Sequence, residues 1–225
     1  AAEADDSLDA FIARRAADLT AYQNAAYAKR YTDLIGRIGD TESEKTPGRT
    51  DLTEVAAKAL YKLMAYKDEY EVARLYTDGR FEAKLRDQFD AGAKLRFHLA
   101  PPLLAERDPG TGRLRKTEYG PWVFTAFRLL AGLKGLRGTA FDIFGRSEER
   151  RAERRLIAEY ITTLETLMTG LSDANHEIAT DIARLPMSIR GFGHVKEANM
   201  ATAVSRHESL METFKNGGAE KTAAE

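Results

Sequence analysis

The stretch SEERRAERRLIAEYITTLETLMTG, Ser147 to Gly170, decides the fold class. Its apolar residues Leu156, Ile157, Tyr160, Ile161, Leu164, Leu167 and Met168 recur at steps of three and four, the period of one helix face. Ser147 stands where a cap belongs, Glu148 and Glu149 favour the positive end of the helix dipole, and Gly170 closes the far end. Downstream, Ser172 or Asp173 opens a shorter helix through Ile178, Ile182 and Leu185 that stops at Pro186, and a last helix runs from about Gly193 to Phe214.

Upstream the same period dominates. Phe11, Ile12, Leu19, Tyr22, Ala26, Tyr27, Leu34, Ile35 and Ile38 read as one helix capped by Asp6 or Ser7, ending in a polar loop from Gly39 to Thr50. A second helix, started by Thr50 with Glu54, is expected to run through Leu52, Leu60, Leu63 and Met64 to Tyr76, where Asp78-Gly79 breaks it. Phe81, Leu85 and Phe89 mark a short helix. Leu95, Phe97 and Leu99 then alternate with Arg96 and His98, which predicts a strand, and Leu114 to Tyr119 can return as its partner after the Asp108-Pro109-Gly110 turn. Pro121 opens a helix through Phe127 and Leu130, followed by an apolar loop, Phe141 to Phe144. The fold class is mainly α: a helical domain with long amphipathic helices and one small β-hairpin. The expected organisation is a flexible N-terminus at 1–7, a single helical domain at 8–214 and a disordered tail at 215–225.

Composition narrows the function. With 34 Lys and Arg against 35 Asp and Glu the formal net charge is −1, so no global field draws the 225-residue chain to nucleic acid or to anionic lipid. There is no cysteine. Disulfides, thiolate catalysis and cysteine-held iron–sulfur clusters are thereby excluded, which suits a cytoplasmic setting. No apolar run reaches the roughly 20 residues of a membrane span. His98, His176, His194 and His207 lack metal-ligand spacing; His176 with Glu177 reads as a surface or capping pair, and His98 as the polar face of its strand. In Arg146 to Arg155, Glu148, Glu149 and Glu153 dilute the arginines into a solvated face.

Two constellations stand out. Lys67 extends the stripe of Leu60, Leu63 and Met64, which would leave its ammonium partly desolvated and in need of Glu71 one turn later, with Tyr70 and Arg74 extending a polar network. Such a network serves either structure or a ligand. In Ile189-Arg-Gly-Phe-Gly-His-Val-Lys196, Arg190, His194 and Lys196 surround Gly191 and Gly193 at a helix start, where free amides and the dipole could hold an anion such as a coenzyme A phosphate or a carboxylate. A glycine-shaped turn with solvated cations is the plainer alternative. Neither constellation completes a catalytic motif.

The strings KLMAYKDEYEVARLYTDGRFEAKLRDQF from Lys62, LRFHLAPPLLAERDPGTGRLRKTEYGPW from Leu95 and IRGFGHVKEAN from Ile189 resemble, in order, the C-terminal domain of fused indolepyruvate ferredoxin oxidoreductases. The resemblance covers Leu8 to Phe214. It implies a parent enzyme that decarboxylates aryl-pyruvates oxidatively to acyl-CoA, using thiamine diphosphate, magnesium and iron–sulfur clusters to reduce ferredoxin. That chemistry belongs to other domains: no cofactor and no catalytic residue is expected in this segment. Its expected partners are the other domains of the parent, with homo-oligomerisation through the parent, and neither nucleic acid nor membrane. A docking domain of this kind should expose an apolar patch, and Trp122, Val123, Phe124 and Phe141 to Phe144 are the candidates.

Overall fold

The computed structural model describes residues 7–89, 96–99, 115, 117–189 and 194–217, with 194–198 by backbone alone. The described chain is mainly helical: α1 (Leu8–Tyr22), α2 (Ala25–Lys45), α3 (Asp51–Met64), α4 (Glu69–Thr77), α5 (Arg80–Gln88), β1 (Phe97–Leu99), β2 (Thr117–Tyr119), α6 (Val123–Gly132), α7 (Glu148–Gly170), α8 (His176–Arg184) and α9 (His194–Lys215). β1 and β2 pair antiparallel with Phe97 opposite Tyr119. As the alternation requires, Phe97 is buried while His98 is exposed. The chain divides into two compact units, one made of the residues up to Tyr66 and from Gly145 onward, the other of Lys67–Phe144.

In the first unit α3 is the central element and packs against α1, α2, α7 and α8. Its alanines explain how. Ala56, Ala57 and Ala59 are fully buried and let neighbours approach, while Leu52, Leu60 and Met64 fill the space between helices. Leu164 and Leu167 of α7 and Ile178 and Ile182 of α8 complete one aliphatic core. Buried tyrosines place their hydroxyls on main-chain carbonyls: Tyr22 donates to Tyr66 O at 2.9 Å, Tyr27 to Met64 O at 3.0 Å and Tyr160 to Ala183 O at 2.8 Å. The first two satisfy carbonyls at or just past the end of α3, groups that an isolated helix leaves unpaired. Two lysines do the same elsewhere. Lys45 Nζ donates to Met168 O and Thr169 O at the end of α7, and Lys62 Nζ to Pro186 O, Met187 O and Ile189 O.

Helix boundaries differ from the sequence reading most clearly at three places. The first predicted helix is two, because Asn24 adopts extended backbone and its side chain accepts Tyr27 N at 2.8 Å, starting α2 afresh without breaking the apolar period. That second helix does not stop at Gly39. It continues to Lys45, and a Cβ at Gly39 would meet Thr53 at 3.6 Å, an ordinary van der Waals contact, so the glycine neither ends the helix nor is needed for its packing against α3. The predicted helix from Thr50 to Tyr76 also divides, at residues 65–68, where Asp68 caps α4 by accepting Glu71 N at 2.8 Å. The long helix at 148–170, by contrast, forms as expected, with the Ser147 hydroxyl accepting Arg150 N.

The second unit is held by aromatic rings. Tyr76 of α4 meets Phe81, Phe97 and Phe127 at ring separations of 4.9, 5.5 and 5.3 Å, and Phe97 lies 5.3 Å from Phe124. Mostly edge-on, these contacts join α4, α5, β1 and α6 in the geometry aromatic quadrupoles favour.

Candidate functional site

The polar network expected around Lys67 is centred on other residues. Lys67 lies in the non-helical break between α3 and α4 and is exposed, so its ammonium is not held inside as the stripe suggested. A continuous helix would have carried it inward; the Asp68 cap resets the phase. Glu71 and Arg74 do pair, in a bidentate contact at 2.7 and 2.8 Å. Tyr70 joins a separate cluster that sequence spacing does not reveal. Arg137 donates to both oxygens of Asp68, at 2.6 and 2.8 Å, with both side chains at most 3% exposed. Its guanidinium also stands 5.4 Å from the centre of the Tyr70 ring. The Tyr70 hydroxyl donates to Asp142 Oδ1 at 3.2 Å, and Gly138 N donates to Asp142 Oδ2 at 2.8 Å. Burial, then the neighbouring Asp142 charge and hydrogen bond, push the Tyr70 hydroxyl up to about 12, so it stays a donor.

This cluster fixes the chain from Arg137 to Phe144. Gly138 takes φ +76°, a conformation that side chains with a Cβ rarely adopt, and Thr139 N, Thr139 Oγ1 and Asp142 N close the turn on Leu136 O and Thr139 O. Phe144 packs edge-on against Tyr70 at 5.4 Å. Between these anchors Phe141 is 76% exposed and Ile143 56%, flanking the buried Asp142. Trp122, at the start of α6, is 62% exposed. Of the expected patch, then, Trp122, Phe141 and Ile143 are at the surface, whereas Val123 is buried and Phe124 belongs to the aromatic core.

The first unit holds a second buried cluster, around Glu42. One oxygen accepts Leu52 N at 2.9 Å and the other Thr53 N at 2.8 Å, so a carboxylate from the end of α2 caps the start of α3, where Thr50 makes no side-chain cap bond. His176 Nε2 lies 2.6 Å from Glu42 Oε1, and Arg49 NH1 faces His176 Nδ1 at 3.1 Å. Because Arg49 can only donate, this arrangement assigns the ring proton to Nε2. His176, at the start of α8, is 1% exposed, so of the two readings of its sequence position, surface or capping, the surface one does not hold. Burial would raise the Glu42 carboxyl, but hydrogen bonds from Thr53, His176 and the Thr53 and Leu52 amides outweigh it and hold the group below the usual glutamate range. This is a cap and an interhelical tie rather than an open catalytic dyad.

A surface groove of about 590 Å³ lies elsewhere in the same unit, along the ends of α7 and α9. Thr169 and Ser172 line it with their hydroxyls committed to helix carbonyls and caps, and Phe214 forms one wall. Lys215 is the charged side chain among its lining residues, so the groove coincides with neither buried cluster. Of the expected anion site, Arg190, Gly191 and Gly193 lie outside the described residues, as do the side chains of His194 and Lys196.

The model of a family of unknown function, DUF6537, matches residues 8–209, nearly the whole described chain. The chain belongs to DUF6537. No curated protein and no solved structure matches it. The two buried clusters and the exposed turn therefore stand as features of a DUF6537 domain, and its role has to be argued from them.

Proposed function

We propose that this DUF6537 domain is the non-catalytic C-terminal docking domain of a thiamine-diphosphate-dependent indolepyruvate ferredoxin oxidoreductase. The observation that carries the docking role is the distribution of exposed apolar side chains. Leu75, Phe89, Trp122, Leu129, Leu133, Phe141 and Ile143 are all at least 44% exposed and all belong to the Lys67–Phe144 unit, whereas Val204 is the one such residue elsewhere among those described. Large exposed apolar groups concentrated in one small unit mark a surface that a partner covers. The parent's identity rests on the resemblance of the Lys62, Leu95 and Ile189 strings.

Without cysteine the chain offers no thiolate to a cluster, and no group of three or more His, Asp or Glu among the described residues is placed to hold a metal ion. No step of the parent's reaction is therefore assigned to residues of this domain.

The test is association of this chain with the parent enzyme lacking it, followed by indolepyruvate-dependent reduction of ferredoxin or a dye, with the truncated enzyme alone as control. Binding with recovery of activity supports the reading. A fully active truncated enzyme that ignores the chain overturns it.

A further inference from the structure

We propose that the turn joining α2 to α3 is a proton-operated latch: when His176 takes up a second proton, Arg49 is expelled from the ring and residues 46–50 are released. The imidazole is engaged on both sides. Its Nε2–H donates to Glu42 Oε1 at 2.6 Å, and its Nδ1 accepts from Arg49 NH1 at 3.1 Å. The site for a second proton is therefore the Nδ1 lone pair that holds Arg49. Once Nδ1 carries hydrogen, two donors and two cations face each other where a 3.1 Å bond stood, and one of them has to leave.

Anchorage decides which one goes. His176 is buried on α8 and keeps Glu42 as an anionic partner. Arg49 is only partly buried, and among the described residues its side chain has no bond besides that to His176. Its own amide reaches Thr46 O at 3.2 Å, just after Gly48 with φ +84°. The exchange is also balanced in charge. Before it the cluster holds the Glu42 carboxylate against the Arg49 guanidinium, and after it the same carboxylate against the His176 imidazolium, so no buried charge is left alone. Glu42 stays ionised meanwhile: burial would raise its carboxyl, but the bonds from Thr53, His176 and the two amides hold it below the usual glutamate range, whereas imidazoles titrate between about pH 5 and 8. No other charge takes part. Asp51 and Glu54 on α3, Asp173 ahead of α8 and Glu177 on α8 are exposed, and no described charged residue of α7 or α9 bonds the ring. The outcome is a guanidinium delivered to solvent in acid, with the Glu42 cap of α3 kept.

The experiment is nuclear magnetic resonance of the full chain, isotope-labelled in nitrogen and followed from about pH 8 to about pH 5. The His176 ring nitrogens report tautomer and protonation; the Arg49 guanidinium and the amides of 48–50 report the latch. The expected result at the alkaline end is a neutral ring protonated at Nε2. As the ring takes its second proton, protection of the Arg49 guanidinium protons, relative to free arginine at the same pH, should fall about tenfold, the loss of one hydrogen bond. The amides of 48–50 should shift in step, and those of 178–183 in α8 should stay in place. Arg49→Met removes the guanidinium and leaves the Glu42–His176 contact, so in that variant the amides of 48–50 should no longer follow the ring. A ring that stays neutral down to about pH 5 overturns the proposal. So does a ring that titrates while Arg49 keeps its protection. If the turn of Arg49→Met responds to acid as the wild type does, a carboxylate such as Asp51 carries the response, and the latch is likewise overturned.

Discussion

The two units handle apolar side chains in opposite ways. In the first, Leu19, Ile35, Ile38, Leu60, Leu164 and Ile182 are all buried to within a percent or so, and the buried polar groups mostly satisfy helix ends. In the second, fewer apolar residues reach full burial, Asp68, Arg137 and Asp142 occupy interior positions, and Trp122, Leu129 and Phe141 face outward. A buried ion pair adds little net stability over a well-packed apolar pair, so its presence points to a specified geometry rather than to extra strength. The first unit gathers its large apolar side chains inward, and the second leaves several of them at its surface.

The sharpest way to break this comparison is Asp68→Ala. It leaves Arg137 buried without its carboxylate partner, which should cost about 3–5 kcal/mol, and removes the α4 cap as well. Amide hydrogen exchange should then show protection lost in α4 and α6 and kept in α3 and α8; equal loss in both would mean that the units do not behave separately. Replacing the pair with Leu at 68 and Met at 137 should recover most of the loss. Leu167→Ala tests the other side. A cavity in the aliphatic core should cost about 2–5 kcal/mol, with the opposite pattern of exchange.

A smaller effect concerns Glu42, for which Gln retains shape but loses the charge that two amides and Thr53 address. Urea unfolding near neutral pH should register about 1–3 kcal/mol for Glu42→Gln. Because the folded carboxyl titrates below its usual range, its contribution is present above the unfolded value and lost as pH falls through the folded one. The variant and wild-type stabilities should therefore converge in acid, and a gap that persists there would show that Glu42 acts through packing. The smallest effect expected is that of Phe141→Ser with Ile143→Ser on the isolated chain, within about 0.5 kcal/mol in thermal unfolding; a larger loss would place the turn in the core.

Helices with a strong apolar stripe and a conventional cap were legible in the sequence, as at 148–170, and so was the alternation around Phe97. The splits at Asn24 and at residues 65–68 were not, since a one-residue cap can restart a helix without disturbing the three-and-four spacing of its apolar neighbours. Lys67 was misplaced by that same loss of phase. The Glu42–His176 tie and the Asp68–Arg137 pair join residues far apart along the chain, 134 and 69 positions, and no local pattern announces them. Asp142 between Phe141 and Ile143 was the one available signal: a lone acid in an apolar loop is often an inward hydrogen-bond acceptor. Nor does any polar linker mark the division at Tyr66 and Gly145.

That division bears on the order in which the molecule is built. Lys67–Phe144 is one unbroken run, so its contacts can close as soon as it has left the ribosome. The other unit is interrupted. α1, α2 and α3 are synthesised before the inserted run, but Glu42 must wait for His176 and Lys62 for Pro186, Met187 and Ile189, all made after it. During that interval the leucines of α3 have no α7 or α8 to cover them. Within this domain, α3 is thus most exposed to misassociation and to chaperone capture in the interval during which Lys67–Phe144 is being made.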